Sequence, residues 1–188
     1  MKILIVDNGS TYLPDIESEL GTCTSKSVRY DELDVIKDTE FDGIILSGGH
    51  DFPVVGNENR LANEIQLIRA TNTPLLGICF GFELIAAAFG ARLEHLPTRE
   101  KGVIDVVVTH QDGIFKGISH FQAYESHRWV VKDLGEQLEE LARSKDGVEA
   151  FKHRFRKIYA TQFHPELHLE RVEGQKVLQN FLSSVQES

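Results

Sequence analysis

The stretch Pro74-Leu75-Leu76-Gly77-Ile78-Cys79-Phe80-Gly81-Phe82-Glu83, running on through Leu84 to Phe89 and Gly90, decides the fold. Pro74 to Ile78 is a short continuous apolar run, the pattern of a strand buried on both faces. Glu83 to Phe89 reads as a helix, and Gly90 suits its stop. Between them stands a cysteine with a glycine two residues away on either side. Such spacing predicts a sharp strand-to-helix elbow that lifts the central side chain out of the sheet. The helix N-terminus that follows favours a thiolate through its dipole and its unpaired N–H groups. The N–H of Phe80 points where an oxyanion would form. Cys79 is the nucleophile candidate; Cys23, in the polar run Gly21 to Ser27, reads as a space-filling residue.

Working outward, the same alternation recurs towards the N-terminus. Ile3 to Val6 is a buried strand ending in the turn cluster Asp7-Asn8-Gly9-Ser10, and Leu13, Ile16 and Leu20 follow at helical spacing up to Gly21. Gly43 to Leu46 is a second buried strand, ending in Ser47-Gly48-Gly49, and Leu61, Ile65 and Ile68 form the next helical stripe. Alternating strands and helices imply right-handed crossovers and a mainly parallel sheet, with function at the C-terminal ends of its strands. From about residue 91 the pattern changes. Val103 to Thr109, Trp129 to Val131, Gly147 to Phe151 and Ile158 to Phe163 read as shorter strands. Glu136 to Ser144 suits either a helix or a strand. Val177, Leu178, Phe181, Leu182 and Val185 make a closing amphipathic helix. The expected architecture is an α/β fold: an open, mainly parallel sheet flanked by helices, with a small antiparallel addition.

Composition bounds the function. The chain has 188 residues, 41% hydrophobic and 26% charged, values that exclude disordered and fibrous classes and suit one domain over residues 1–188. Its formal net charge of −9 argues against a nucleic-acid or anionic-membrane partner, both of which favour a basic face. No apolar stretch approaches the roughly 20 residues that span a bilayer. The opening Met1 to Asp7 lacks signal-peptide anatomy, and two cysteines make no disulfide framework, so a cytoplasmic setting is expected.

A cysteine nucleophile needs a base, and the base an orienting group. Of eight histidines, His164 stands apart, because it closes the strand Ile158 to Phe163 and is followed by Pro165-Glu166. Proline fixes the backbone there, and Glu166 is within reach of the imidazole. Cys79, His164 and Glu166 thus form a candidate nucleophile, base and orienter.

Gly77 to Gly81, Phe163-His164-Pro165-Glu166 about 85 residues later, and Ser47-Gly48-Gly49 about 30 residues earlier together resemble the class I, triad-type glutamine amidotransferases over essentially the whole chain. Within that family, Val6 to Gly9, Glu125-Ser126-His127, Tyr159 to Glu166 and Glu173 to Phe181 are most similar to the glutaminase subunits of two-subunit GMP synthetases. The resemblance implies a flavodoxin-like fold and hydrolysis of L-glutamine through a γ-glutamyl thioester on Cys79. It makes His164 the proton carrier, Glu166 its support, and the N–H groups of Gly49 and Phe80 the oxyanion hole. Ser126 and His127 fall where the family holds the α-amino and α-carboxylate groups of glutamine, largely through backbone atoms. Neither metal nor cofactor is implied. With no ATP-binding region in the chain, ammonia would pass to a separate ATP-dependent synthetase subunit.

The sequence departs from the family at two places. Phe82-Glu83 replaces the usual His-Gln, whose glutamine binds substrate, and His50 stands where the oxyanion loop usually has proline. Phe-Glu at this place resembles γ-glutamyl hydrolases, so a γ-glutamyl peptide hydrolase acting alone is the alternative enzyme, and a non-catalytic regulatory module the alternative without turnover. Ser47 to Asp51 also resembles the start of an ATP-pyrophosphatase loop, but Phe52 replaces its serine. His164 and His168 are four apart, yet Pro165 between them disfavours a helical zinc pair.

Overall fold

Residues 3–6 and 44–46 are apolar at every position, and both runs lie fully buried as strands of one sheet. The computed structural model describes residues 1–35, 37–49, 51–168 and 173–187. Strands β1 (Lys2–Asn8), β2 (Thr24–Arg29), β3 (Gly43–Gly49) and β4 (Leu75–Ile78) are separated by helices α1 (Leu13–Glu19) and α2 (Ala62–Ala70). Helix α3 (Phe80–Ala88) follows β4 directly through Cys79. The long strands β5 (Arg92–Val108) and β6 (His120–Asp133), then β7 (Leu138–Arg143), β8 (Val148–His153), β9 (Ile158–Thr161) and helix α4 (Gln175–Gln186) complete the order. The nine strands lie in the order β2-β1-β3-β4-β9-β8-β7-β5-β6. Pairings from β2 to β9 are parallel; from β9 to β6 they are antiparallel.

Strand alternation divides the core between the two faces. Ile3, Ile5, Ile45, Leu76 and Ile78 meet Ile16 of α1 and the Val177, Leu178, Phe181, Leu182 and Val185 stripe of α4. Leu4, Val6, Ile44, Leu46 and Leu75 meet Ile68 of α2 and Leu84 and Ile85 of α3. Helices on both faces are what force these strands to be apolar throughout.

Several features depart from the sequence pattern, among them strand β6, which begins at His120 and not near Trp129. Thr24 to Arg29 forms strand β2 although it carries no apolar run, since it lies at the sheet edge with Val28 as its buried residue. Strand β5 begins at Arg92, well before Val103; its polar first half pairs with β6 as an exposed ribbon, with a register break between His95 and Glu100. The open choice at Glu136 to Ser144 resolves as a strand, because Leu138 and Leu141 are buried within a ladder to β8. Among the described residues, no helix is long and apolar enough to cross a membrane.

Candidate active site

The C-terminal ends of β1, β3, β4 and β9 converge, and each delivers part of the site. Cys79 closes β4 with φ +51° and ψ −97°, and it is the non-glycine residue with positive φ among those described. Such a conformation is strained for an L-residue and persists where surrounding structure holds it. Here the neighbouring glycines allow it by close approach. A Cβ at Gly77 would lie 2.5 Å from Ile85 Cδ1, and one at Gly81 would lie 2.6 Å from the Leu46 carbonyl oxygen. The Cys79 N–H donates to the Thr161 carbonyl at 2.8 Å, tying the elbow to β9. The sulfur lies 3.8 Å from the Ser126 carbonyl and 4.0 Å from Gln162 Nε2.

β9 ends at Thr161, and the chain then turns into the site. His164 N–H donates to the Tyr124 carbonyl at 2.8 Å, fixing the backbone from β6. Nδ1 of His164 is 2.8 Å from Oε1 of Glu166, and both side chains are buried. With Nδ1–H committed to the carboxylate, Nε2 is the nitrogen left for Cys79. Tyr12 packs its ring edge-on against the imidazole at 5.0 Å. Burial alone would depress this histidine; the Cys79 sulfur and the Glu166 carboxylate outweigh it and push it up to about 10. The structure thus brings together Cys79, His164 and the buried Glu166 carboxylate, residue types that could together perform acyl transfer.

Gly49 at the end of β3 and Phe80 at the start of α3 border the same cavity as Cys79, a space of about 460 Å³. The Phe80 N–H, in the first helical position, has no intrahelical acceptor and is free for a ligand oxygen. His50 lies outside the described residues. Glu83, Ser126 and His127 border the same cavity. A smaller space of about 70 Å³ opens on the His164 side of Cys79, against Ser10 and Tyr12.

The His127 side chain is held by partners within the protein. Its Nδ1 lies 3.0 Å from the Trp129 carbonyl and its Nε2 3.0 Å from Glu125 Oε2. Burial would lower its pKa, but the hydrogen bond to Glu125 and the surrounding acidic groups outweigh that and raise it. Glu149 stands beside this pair, pushed up to about 8 by burial and by the Glu125 charge. Ligand atoms of Glu125, His127 and Glu149 lie within 4.8 Å of one another, with Glu125 and His127 joined by a hydrogen bond. His168 is exposed and pairs with Glu19, away from His164.

The placement of Glu149, Tyr12 and Gln162 near the site is not legible from the sequence. Glu125 is two residues from His127 on one strand, so alternation alone places them on one face. Glu149, Tyr12 and Gln162 reach the site through tertiary packing, for which the sequence carries no local signal.

Residues 4–185 match the family model for the class-I glutamine amidotransferases. The chain is 36% identical over 188 residues to a glutamine-hydrolyzing GMP synthase subunit of Methanococcus vannielii, covering 95% of this chain and 94% of that one. It is 35% identical over 185 residues to the subunit of the same name from Pyrococcus abyssi, covering 95% and 96% of the two chains. A crystal structure of a protein described as a GMP synthase subunit from Thermoplasma acidophilum superposes with a TM-score of 0.85 at 34% identity, over 100% of this chain and 94% of that one. A glutamine amidotransferase from Thermotoga maritima shares the fold, with a TM-score of 0.77 at 19% identity over 100% and 83% of the chains.

Proposed function

Since the chain belongs to the class-I glutamine amidotransferases, we propose that it hydrolyses L-glutamine to glutamate and ammonia through Cys79, His164 and Glu166, within a single domain over residues 1–188. The observation that carries this reading is the strained Cys79 elbow facing a histidine that a buried glutamate orients.

Cys79 Sγ attacks the side-chain amide carbon of glutamine, and the carbonyl oxygen takes up negative charge between the N–H groups of Gly49 and Phe80. Preorganised donors aimed at that oxygen are typically worth about 10²- to 10³-fold in rate each. His164 carries the thiol proton to the departing nitrogen, so ammonia leaves as the γ-glutamyl thioester forms. Water then attacks the thioester carbon and gives a proton to His164. The C–S bond breaks, glutamate leaves and the sulfur regains its starting state. Glu166 keeps the imidazole in the tautomer this sequence requires and balances the charge it gains. Glu83, Ser126 and His127 border the space the amino-acid end of glutamine fills.

Ammonia is passed to an ATP-dependent synthetase subunit in the cytoplasm. The names of the similar proteins favour GMP synthesis as the use of that ammonia. The test is ammonia release from L-glutamine by the chain alone, then with a GMP synthetase partner and its nucleotide substrates. Stimulation by the loaded partner supports the reading. Turnover of γ-glutamyl peptides in preference to glutamine, with no response to a partner, would replace it with a free-standing hydrolase.

A further inference from the structure

Glu83 borders the cavity that holds Cys79, yet it is a carboxyl group with 6% of its surface exposed. It lies one turn into α3, its own N–H bonded to the Cys79 carbonyl at 3.1 Å, so its position is tied to the elbow. His127 borders the same cavity, and Glu125 and Glu149 cluster with it; all three are buried. The charges in this group do not balance. Among the described residues, His127 is the one buried imidazole facing these three carboxyls, and both its nitrogens are taken, by Glu125 and by the Trp129 carbonyl. Glu149 has one oxygen on the Ser144 hydroxyl at 2.7 Å and the other without a partner among the described residues. One cation therefore neutralises one carboxylate, and Glu83 and Glu149 are left without a counter-charge of their own.

The other charged and titratable groups bordering the cavity do not supply one. Cys79 is committed to His164; Asp51 is acidic; His95 packs edge-on against Trp129 at 5.0 Å. Arg99 and Arg128 are exposed, and neither forms an ion pair among the described residues. A carboxylate buried without a partner gives way to its neutral form. Burial pushes Glu83 up to about 8, the His127 charge opposing only part of the effect.

Resting on the glutaminase reading above, we propose that Glu83 meets glutamine as a neutral carboxylic acid whose O–H donates to a substrate oxygen. A protonated carboxyl offers one donor and one acceptor, the same complement a side-chain amide presents on one edge. An ionised Glu83 has acceptors only and repels the substrate carboxylate. Free amino-acid substrates, which carry that carboxylate, are then favoured while Glu83 keeps its proton.

The experiment follows KM and kcat for L-glutamine from pH 6.5 to 9.5 in the complex with the synthetase subunit, for wild type, Glu83→Gln and Glu83→Ala. In parallel, infrared difference spectra of wild type minus Glu83→Gln on the isolated chain read the carboxylic-acid carbonyl band. Above pH about 8 the wild-type KM is expected to rise, approaching tenfold per pH unit, with kcat moving far less. That rise is lost in Glu83→Gln, while Glu83→Ala raises KM about tenfold at pH 7. Ionisation of glutamine's own amino group is common to all three enzymes and cancels in the comparison. The difference spectrum should show an acid band at pH 7 that fades through pH 8. Identical KM profiles for wild type and Glu83→Gln, a wild-type KM that falls with rising pH, or no acid band at pH 7 would each overturn the proposal. Absence of glutamine turnover with the acid band intact would instead strike the glutaminase reading.

Discussion

His164 Nδ1 and Glu166 Oε1 lie 2.8 Å apart with only Pro165 between the two residues in the chain, and both side chains are buried. The second carboxylate oxygen of Glu166 has no partner among the described residues, so its bond to the imidazole is the contact that compensates its burial. Removing Glu166 should therefore release the ring without removing the base. Glu166→Ala is expected to lower kcat for glutamine hydrolysis roughly 10²-fold, and His164→Ala at least about 10³-fold. Steady-state kinetics on the two variants check the order; equal activity of His164→Ala and wild type would remove the base from the scheme.

The elbow should be intolerant of any side chain at Gly81. A Cβ there meets the Leu46 carbonyl oxygen at 2.6 Å, a backbone atom of a buried strand that cannot move aside. Gly81→Ala is expected to destabilise the fold by about 1–3 kcal/mol and to abolish turnover. Denaturant unfolding together with the glutaminase assay measures both.

Glu64 offers a test of pH-dependent stability. It is fully buried, holds Asn8 Nδ2 at 3.0 Å, and leaves its second oxygen unpaired among the described residues. Burial pushes it up to about 8, with the Asn8 hydrogen bond opposing part of that rise. Because the folded-state value lies above the unfolded one, the folded chain holds a proton that the unfolded chain has lost. Stability is thus fully retained below the unfolded value of 4.5, declines as pH rises towards 8, and stays reduced above it. Glu64→Gln keeps an acceptor for Asn8 and cannot ionise. Its Tm relative to wild type should be higher at pH 9 than at pH 5, by the equivalent of on the order of 1–3 kcal/mol. An equal difference at both pH values would contradict the buried neutral state.

What the sequence discloses and what it hides divide along physical lines. Cys79 is legible because an elbow needs glycines at fixed offsets, and His164 and Glu166 because proline and a two-residue spacing hold them together. The inner parallel strands β1, β3 and β4 are legible because burial on both faces makes their central residues apolar. β2 is hidden: a polar edge strand has no hydrophobic signature. The first half of β5 is hidden for the same reason, although it carries His95 and Arg99 to the cavity. Glu149 is invisible as a site residue, since only the pairing of β8 in the sheet brings it to His127.

The proposed chemistry requires glutamine to become attached to the sulfur of Cys79. Treating the chain with a diazo-ketone analogue of glutamine and mapping the adduct by peptide mass spectrometry tests this directly, alongside ammonia release by Cys79→Ala and Cys23→Ala. Both cysteines are free, but Cys79 alone borders the cavity. One adduct is predicted, on Cys79, blocked by excess L-glutamine, with turnover lost in Cys79→Ala and retained in Cys23→Ala. An adduct on Cys23, or substantial glutamine hydrolysis by Cys79→Ala, would contradict Cys79 as the nucleophile.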